Sequence, residues 1–101
     1  MTKLERCIVD LLPRGEARAK IVAAELGMSE RSFVRHLAGM GTSFSEVLSR
    51  LRHELALKYL QQPELSLDHV SFLLGYANQS AFSAAFKRTT GRTPREMRTA
   101  A

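Results

Sequence analysis

A chain of 101 residues, 45% hydrophobic and with 15 Lys and Arg against 10 Asp and Glu, fits one domain or two very small subdomains and is too apolar for global disorder. Its single cysteine, Cys7, excludes an intramolecular disulfide, and it shows neither a signal-like N-terminal run nor the roughly 20 apolar residues of a membrane span. The cytoplasm is the expected location, and a formal charge of +5 suits a polyanionic partner.

Leu, Ala, Arg, Glu and Met are plentiful and alternating β-branched runs are scarce, so the expected fold is all-α. Leu4, Ile8, Leu11 and Leu12 recur at helical spacing, with Cys7 on the apolar side as a buried thiol, until Pro13-Arg14-Gly15 ends the segment. A second helix is expected over about Glu16 to Leu26, facing inward with Ile21, Val22 and Leu26. Gly27 closes it in a left-handed cap, and Ser29 caps a third helix whose buried stripe is Phe33, Leu37 and Met40. Gly39 and Gly41 then loosen the chain.

Ser43 and Glu46 match a capping box opening a long fourth helix, about Phe44 to Gln61, lined by Phe44, Val47, Leu48, Leu51, Leu55 and Tyr59. Pro63 stops it. Ser66 caps a fifth helix carrying Val70, Leu73 and Leu74, which Gly75 closes. Asn78 caps a sixth, with Phe82, Ala85 and Phe86 inward, and Thr93-Pro94-Arg95-Glu96 opens a short seventh.

The chain repeats itself. Leu26-Gly27 returns as Leu74-Gly75 at an offset of 48, Phe33 as Phe82 at 49, and Gly41 as Gly91 at 50. The boxes Ser43/Glu46 and Thr93/Glu96 are also 50 apart. Two copies fall short of the three or more that a solenoid needs. A short helix, a turn containing Gly and a second capped helix instead describe a helix-turn-helix, whose second helix enters the major groove of DNA. The expected organisation is a first helix-turn-helix subdomain over 1–42, a linker helix over 43–62 and a second subdomain over 63–101.

With Phe33 and Leu37 buried, the third helix turns Arg31, Val34 and Arg35 outward, with Ser32 flanking. Arginine matches guanine O6 and N7 with two parallel donors, and valine packs on a thymine methyl. The sixth helix shows Gln79, Ser80, Ala81, Ser83 and Ala84 before any charge, then Lys87. Lys87, Arg88 and Arg92 read as backbone clamps that set register. The third helix is therefore expected to dominate specificity. His36, His53 and His69 are far apart, with no carboxylate or cysteine at ligand spacing, and no glycine-rich phosphate loop occurs. No metal, cofactor or catalytic activity is expected.

The stretches AAELGMSERSFVRHL, GTSF, RHELALKYL and LSLDHVSFLLGYANQSAFSAAFKRTTGRTPREMR resemble the DNA-binding domain of AraC/XylS-type transcription regulators, from about Ala17 to Arg98. The resemblance implies seven helices in two helix-turn-helix subdomains joined by a linker helix, acting on double-stranded DNA as an activator near promoters, with RNA polymerase as a further partner. It puts Arg31, Val34, Arg35, Ser80, Ala81 and Ala84 on bases. Ser29, Ser32, Asn78, Gln79, Ser83, Lys87, Arg88 and Arg92 are expected on the DNA backbone. Many relatives have Gln at the place of Val34 and Arg at that of Ala84, so two hydrogen-bonding readers are lost here. Most also carry a separate effector or oligomerisation domain, and a portion of a longer regulator is expected. The competing reading is a helical protein-interaction module without DNA binding.

Overall fold

The structure, a computed structural model, describes residues 1–100. Seven α-helices and no strand occur among them. α1 (Lys3–Leu11) runs into one 3-10 turn, Leu12–Arg14, and is followed by α2 (Ala19–Glu25) and α3 (Glu30–Gly39). α4 (Phe44–Leu60), α5 (Leu67–Leu73), α6 (Gln79–Thr90) and α7 (Pro94–Ala100) complete the fold. The chain divides into two compact units, one from Met1 to Leu51 and one beginning at Arg52, so the division falls inside α4.

The first unit begins with a capping box that the sequence reading missed. Glu5 N–H donates to Thr2 Oγ1 at 3.1 Å, and Thr2 N–H donates to Glu5 Oε1 at 3.0 Å. Its core is Ile8, Leu11, Leu12, Val22, Ala23, Phe33, Leu37, Val47 and Leu51. Phe33 meets Phe44 edge-on, with centroids 6.0 Å apart.

Three expectations change in this unit. α2 starts at Ala19, not Glu16. The Glu16 N–H donates to the Leu11 carbonyl at 3.1 Å, closing the end of α1 behind the left-handed Gly15, and Arg18 is extended (φ −119°, ψ 148°), so helical backbone begins only at Ala19. Met40 is 60% exposed. Gly39 still belongs to α3, and Thr42 N–H folds back onto the Leu37 carbonyl, which takes Met40 off the Phe33–Leu37 stripe. Cys7 is only half-buried. It sits at the edge of the apolar face of α1, in an open hollow shared with Lys3, Arg6, Asp10, Arg14 and Glu25. Partial burial, then Glu25 and Asp10, push its thiol pKa up.

The second unit is built around Leu55, Ala56, Leu60, Val70, Leu74, Phe82 and Phe86, with Pro94 also fully buried. α4 supplies Val47 and Leu51 to one core and Leu55, Ala56 and Leu60 to the other. One continuous stripe is therefore not required, and Phe44, Leu48 and Tyr59 remain half-exposed. Ser71 is buried at 1% exposure, and its hydroxyl donates to the Leu67 carbonyl at 2.7 Å. That bond removes the cost of an unpaired polar group. Two arginines cap helix ends. Arg52 Nε donates to the Leu74 carbonyl at 3.0 Å. Arg98 donates to the carbonyls of Leu60 (3.1 Å) and Gln62 (3.3 Å), tying α7 to the end of α4. α7 opens on the expected box, with Glu96 N–H on Thr93 Oγ1 at 3.1 Å and Thr93 N–H on Glu96 Oε1 at 2.9 Å.

Candidate nucleic-acid interface

Each unit contains one tight helix pair, and the two are built by the same bonds. Gly27 and Gly75 take φ of 74° and 81°, a left-handed conformation in which any other residue is strained. Behind them, Met28 N–H reaches the Ala23 carbonyl at 2.8 Å and Tyr76 N–H the Ser71 carbonyl at 3.0 Å. The next helix is then capped: Ser32 N–H donates to Ser29 Oγ at 3.1 Å, and Ala81 N–H to Asn78 Oδ1 at 2.8 Å. The buried residues match too. Val22 and Ala23 return as Val70 and Ser71, and Phe33 and Leu37 return as Phe82 and Phe86. The offset grows by one between Tyr76 and Asn78, where the second turn is longer.

Burying Phe33 and Leu37 leaves the other face of α3 free. Arg31, Val34 and Arg35 are exposed there, Val34 at 48%, and together with Glu30 and Ala38 they line one shallow depression. Neither arginine has a hydrogen-bond or ion-pair partner among the described residues. Both guanidinium forks are thus available for a bidentate acceptor. Ser29 and Ser32 are exposed beside them. Glu30 in the first turn suits the positive end of the helix dipole.

On α6, burial of Phe82 and Phe86 leaves Ser80 and Ala84 exposed, while Gln79, Ala81 and Ser83 are half-buried. Asn78 is exposed, and its side-chain oxygen is held by the cap. Lys87 and Arg88 are exposed in the last turn, and Arg92 follows the left-handed Gly91. The Glu96 carboxyl is held below the usual glutamate range, first by the Thr93 N–H and next by the Thr93 hydroxyl, with Lys87 and Arg92 assisting. No Lys or Arg occurs between Lys58 and Lys87, so the early turns of α6 carry no cation.

Two features of the second unit escaped the sequence reading. Phe72 is 56% exposed on α5, with its ring 6.5 Å from His69. Its position two residues from both Val70 and Leu74, opposite their buried face, is a periodicity signal that was available. Arg52 lies outside the apolar stripe expected of its helix, and its bond to the Leu74 carbonyl spans 22 residues of sequence. His53 stacks on Phe86 with centroids 6.4 Å apart. No group of three or more His, Cys, Asp or Glu among the described residues is arranged to hold a metal ion.

Two capped helix pairs, one presenting unpaired arginines on the free face of its second helix, define a duplicated helix-turn-helix nucleic-acid-binding module. A family described as a helix-turn-helix domain matches residues 22–100. The HTH-type transcriptional regulator VirS of Mycobacterium tuberculosis is 40% identical over 88 residues, covering 87% of this chain and 26% of VirS. An AraC-like transcription regulator of Streptomyces lividans is 36% identical over 91 residues, 86% of this chain and 30% of that protein. Among solved structures, the transcriptional regulator CdpR from Pseudomonas aeruginosa matches with a TM-score of 0.71 at 35% identity, over 98% of this chain and 32% of that one. The DNA-binding domain of AdpA, solved with a target DNA, shares the fold at a TM-score of 0.72 and 24% identity, over 99% of this chain and 93% of that one.

The chain belongs to the AraC-type family of helix-turn-helix transcription regulators. The activity this defines is DNA binding in transcription control. The chain spans 22% to 30% of the length of the curated relatives it matches.

Proposed function

We propose that α3 and α6 enter successive major grooves of one double-stranded DNA, with α3 reading sequence and α6 mainly holding the backbone. The observation that carries this is the contrast between the unpaired Arg31 and Arg35 around the exposed Val34 and the cation-free start of α6. In this reading Arg31 and Arg35 take guanine O6 and N7, each good pair being worth about 1–3 kcal/mol of discrimination. Val34 packs on a thymine methyl. Ser80, Ala81 and Ala84 face bases with little more than a hydroxyl and two methyls. Ser29, Ser32, Asn78, Gln79, Ser83, Lys87, Arg88 and Arg92 hold phosphates and set register.

α4 has 17 residues, and at about 1.5 Å per residue it extends roughly 25 Å. In this scheme residues 1–42 and 63–101 are the two reading subdomains and 43–62 the linker. The regulator works in the cytoplasm as an activator, with RNA polymerase as a further partner and with effector control supplied by a separate domain. No helix among the described residues is long and apolar enough to cross a membrane.

The test is duplex binding as salt is raised from low to physiological concentration. The reading expects a steep linear fall of log K with log salt, because each neutralised phosphate releases counterions. A flat profile, or no binding to any duplex, would favour a protein-docking module instead.

A further inference from the structure

The turn of the second pair, Leu74–Asn78, is one residue longer than its counterpart, Leu26–Ser29. A longer turn leaves more conformations open to the helix that follows it. In the second unit this turn is braced from α4. Arg52 Nε donates to the Leu74 carbonyl at 3.0 Å, and the guanidinium carbon lies 5.0 Å from the centroid of the Tyr76 ring. The Tyr76 ring lies 5.5 Å from that of Phe82, centroid to centroid. Phe82 is the buried anchor of α6, 1% exposed. A chain of cation, ring and ring thus runs from α4 through the turn to the helix that faces DNA.

The chemistry suits the place. The Leu74 carbonyl stands at the end of α5, where the last carbonyls lack intrahelical donors and a cation is favoured by the dipole. Arg52 is half-buried, and its Nε–H is already bonded to protein. In the first unit the matching turn residue is Met28, which offers no ring for a cation to face.

We propose that Arg52 is a positioning residue for α6: it fixes the Leu74–Asn78 turn, and so the angle at which α6 meets the duplex, without touching DNA. The consequence for binding rests on the DNA-binding reading above, while the brace itself is a property of the free chain. Two variants separate its parts. Arg52→Met keeps an apolar stem and loses every donor. Arg52→Lys keeps charge over the Tyr76 ring and loses the planar fork.

Amide hydrogen exchange without DNA is the first readout. In Arg52→Met, exchange should quicken about tenfold at Ala81, whose N–H is held by the Asn78 cap, with Phe86 within α6 and Ser32 in the first unit unchanged. Arg52→Lys should show a smaller change at the same amide. A uniform rise through α6 would make Arg52 a contributor to overall stability only, and no change at Ala81 in either variant would remove the brace. Footprinting on a duplex selected by the wild-type chain is the second readout. Both variants should lose protection over the half nearest α6 and keep it over the half nearest α3, and the salt slope should fall by more than one contact's worth because Lys87, Arg88 and Arg92 leave their phosphates together. A slope reduced by about 0.9 with both halves still protected would make Arg52 a phosphate ligand and overturn the proposal. If the wild-type chain protects no duplex, the DNA-binding reading fails, and the exchange data still decide the brace.

Discussion

In the first unit the second helix of the pair offers Arg31, Val34 and Arg35 to solvent; at the matching places in the second, 49 residues on, stand Ser80, Ser83 and Ala84, none of them charged. The buried and capping positions of the two pairs correspond almost residue for residue, from Val22 and Val70 to Leu37 and Phe86. Folding a capped helix pair constrains the anchor, the left-handed glycine and the cap. It leaves the outward face open, and the two copies put different chemistry there. In the proposed reading one face discriminates bases by donor geometry and the other holds a duplex without naming its sequence.

The largest effect should come from breaking what the units share. Phe82→Ala removes a fully buried ring and should cost about 3–5 kcal/mol by leaving a cavity, read as loss of the second unit in denaturant unfolding. Wild-type stability would contradict the anchor role. Next comes the difference between the faces. Arg35→Ala should weaken binding to a selected duplex by about 1–3 kcal/mol and to random duplex far less. Equal losses would move Arg35 to the phosphates. Lys87→Ala should lower affinity several-fold on every sequence and reduce the salt slope by about 0.9. A loss confined to one sequence would make Lys87 a base reader. Replacing the contacted thymine by uracil deletes one methyl and should cost about 0.8 kcal/mol. The same exchange should cost nothing against Val34→Ala, and a persisting penalty would assign the methyl to another side chain.

The smallest effect lies in acid. Glu96 and Glu5 both hold their protons less tightly than an ordinary glutamate, chiefly because the N–H groups of Thr93 and Thr2 donate to them. The stability they add is complete above the ordinary glutamate range and is lost as pH falls through their depressed folded values. Glu96→Gln should flatten part of that acid limb in pH-dependent unfolding, and superimposable limbs would deny the box a role.

What could be read from the chain was local. The Ser29 and Asn78 caps, the Thr93/Glu96 box and the turns at Gly27 and Gly75 depend on residues within a few positions, and the structure has them where the sequence puts them. The α2 start was misjudged because Arg18 takes an extended backbone conformation that no apolar spacing marks. Arg52 and Arg98 were missed because their acceptors lie 22 to 38 residues away, and no periodicity marks such a bond. The outward faces of α3 and α6 were legible from helical spacing once Phe33, Leu37, Phe82 and Phe86 were taken as buried. Which base each exposed side chain meets depends on the partner's atoms, and a lone chain does not encode those.

The division of labour between α3 and α6 is tested most directly by selecting bound duplexes from a random pool and footprinting the winners. Protection should cover two adjacent groove faces, with base preferences concentrated on the one nearest α3. Equal base preferences under both helices, or stronger ones under α6, would contradict it.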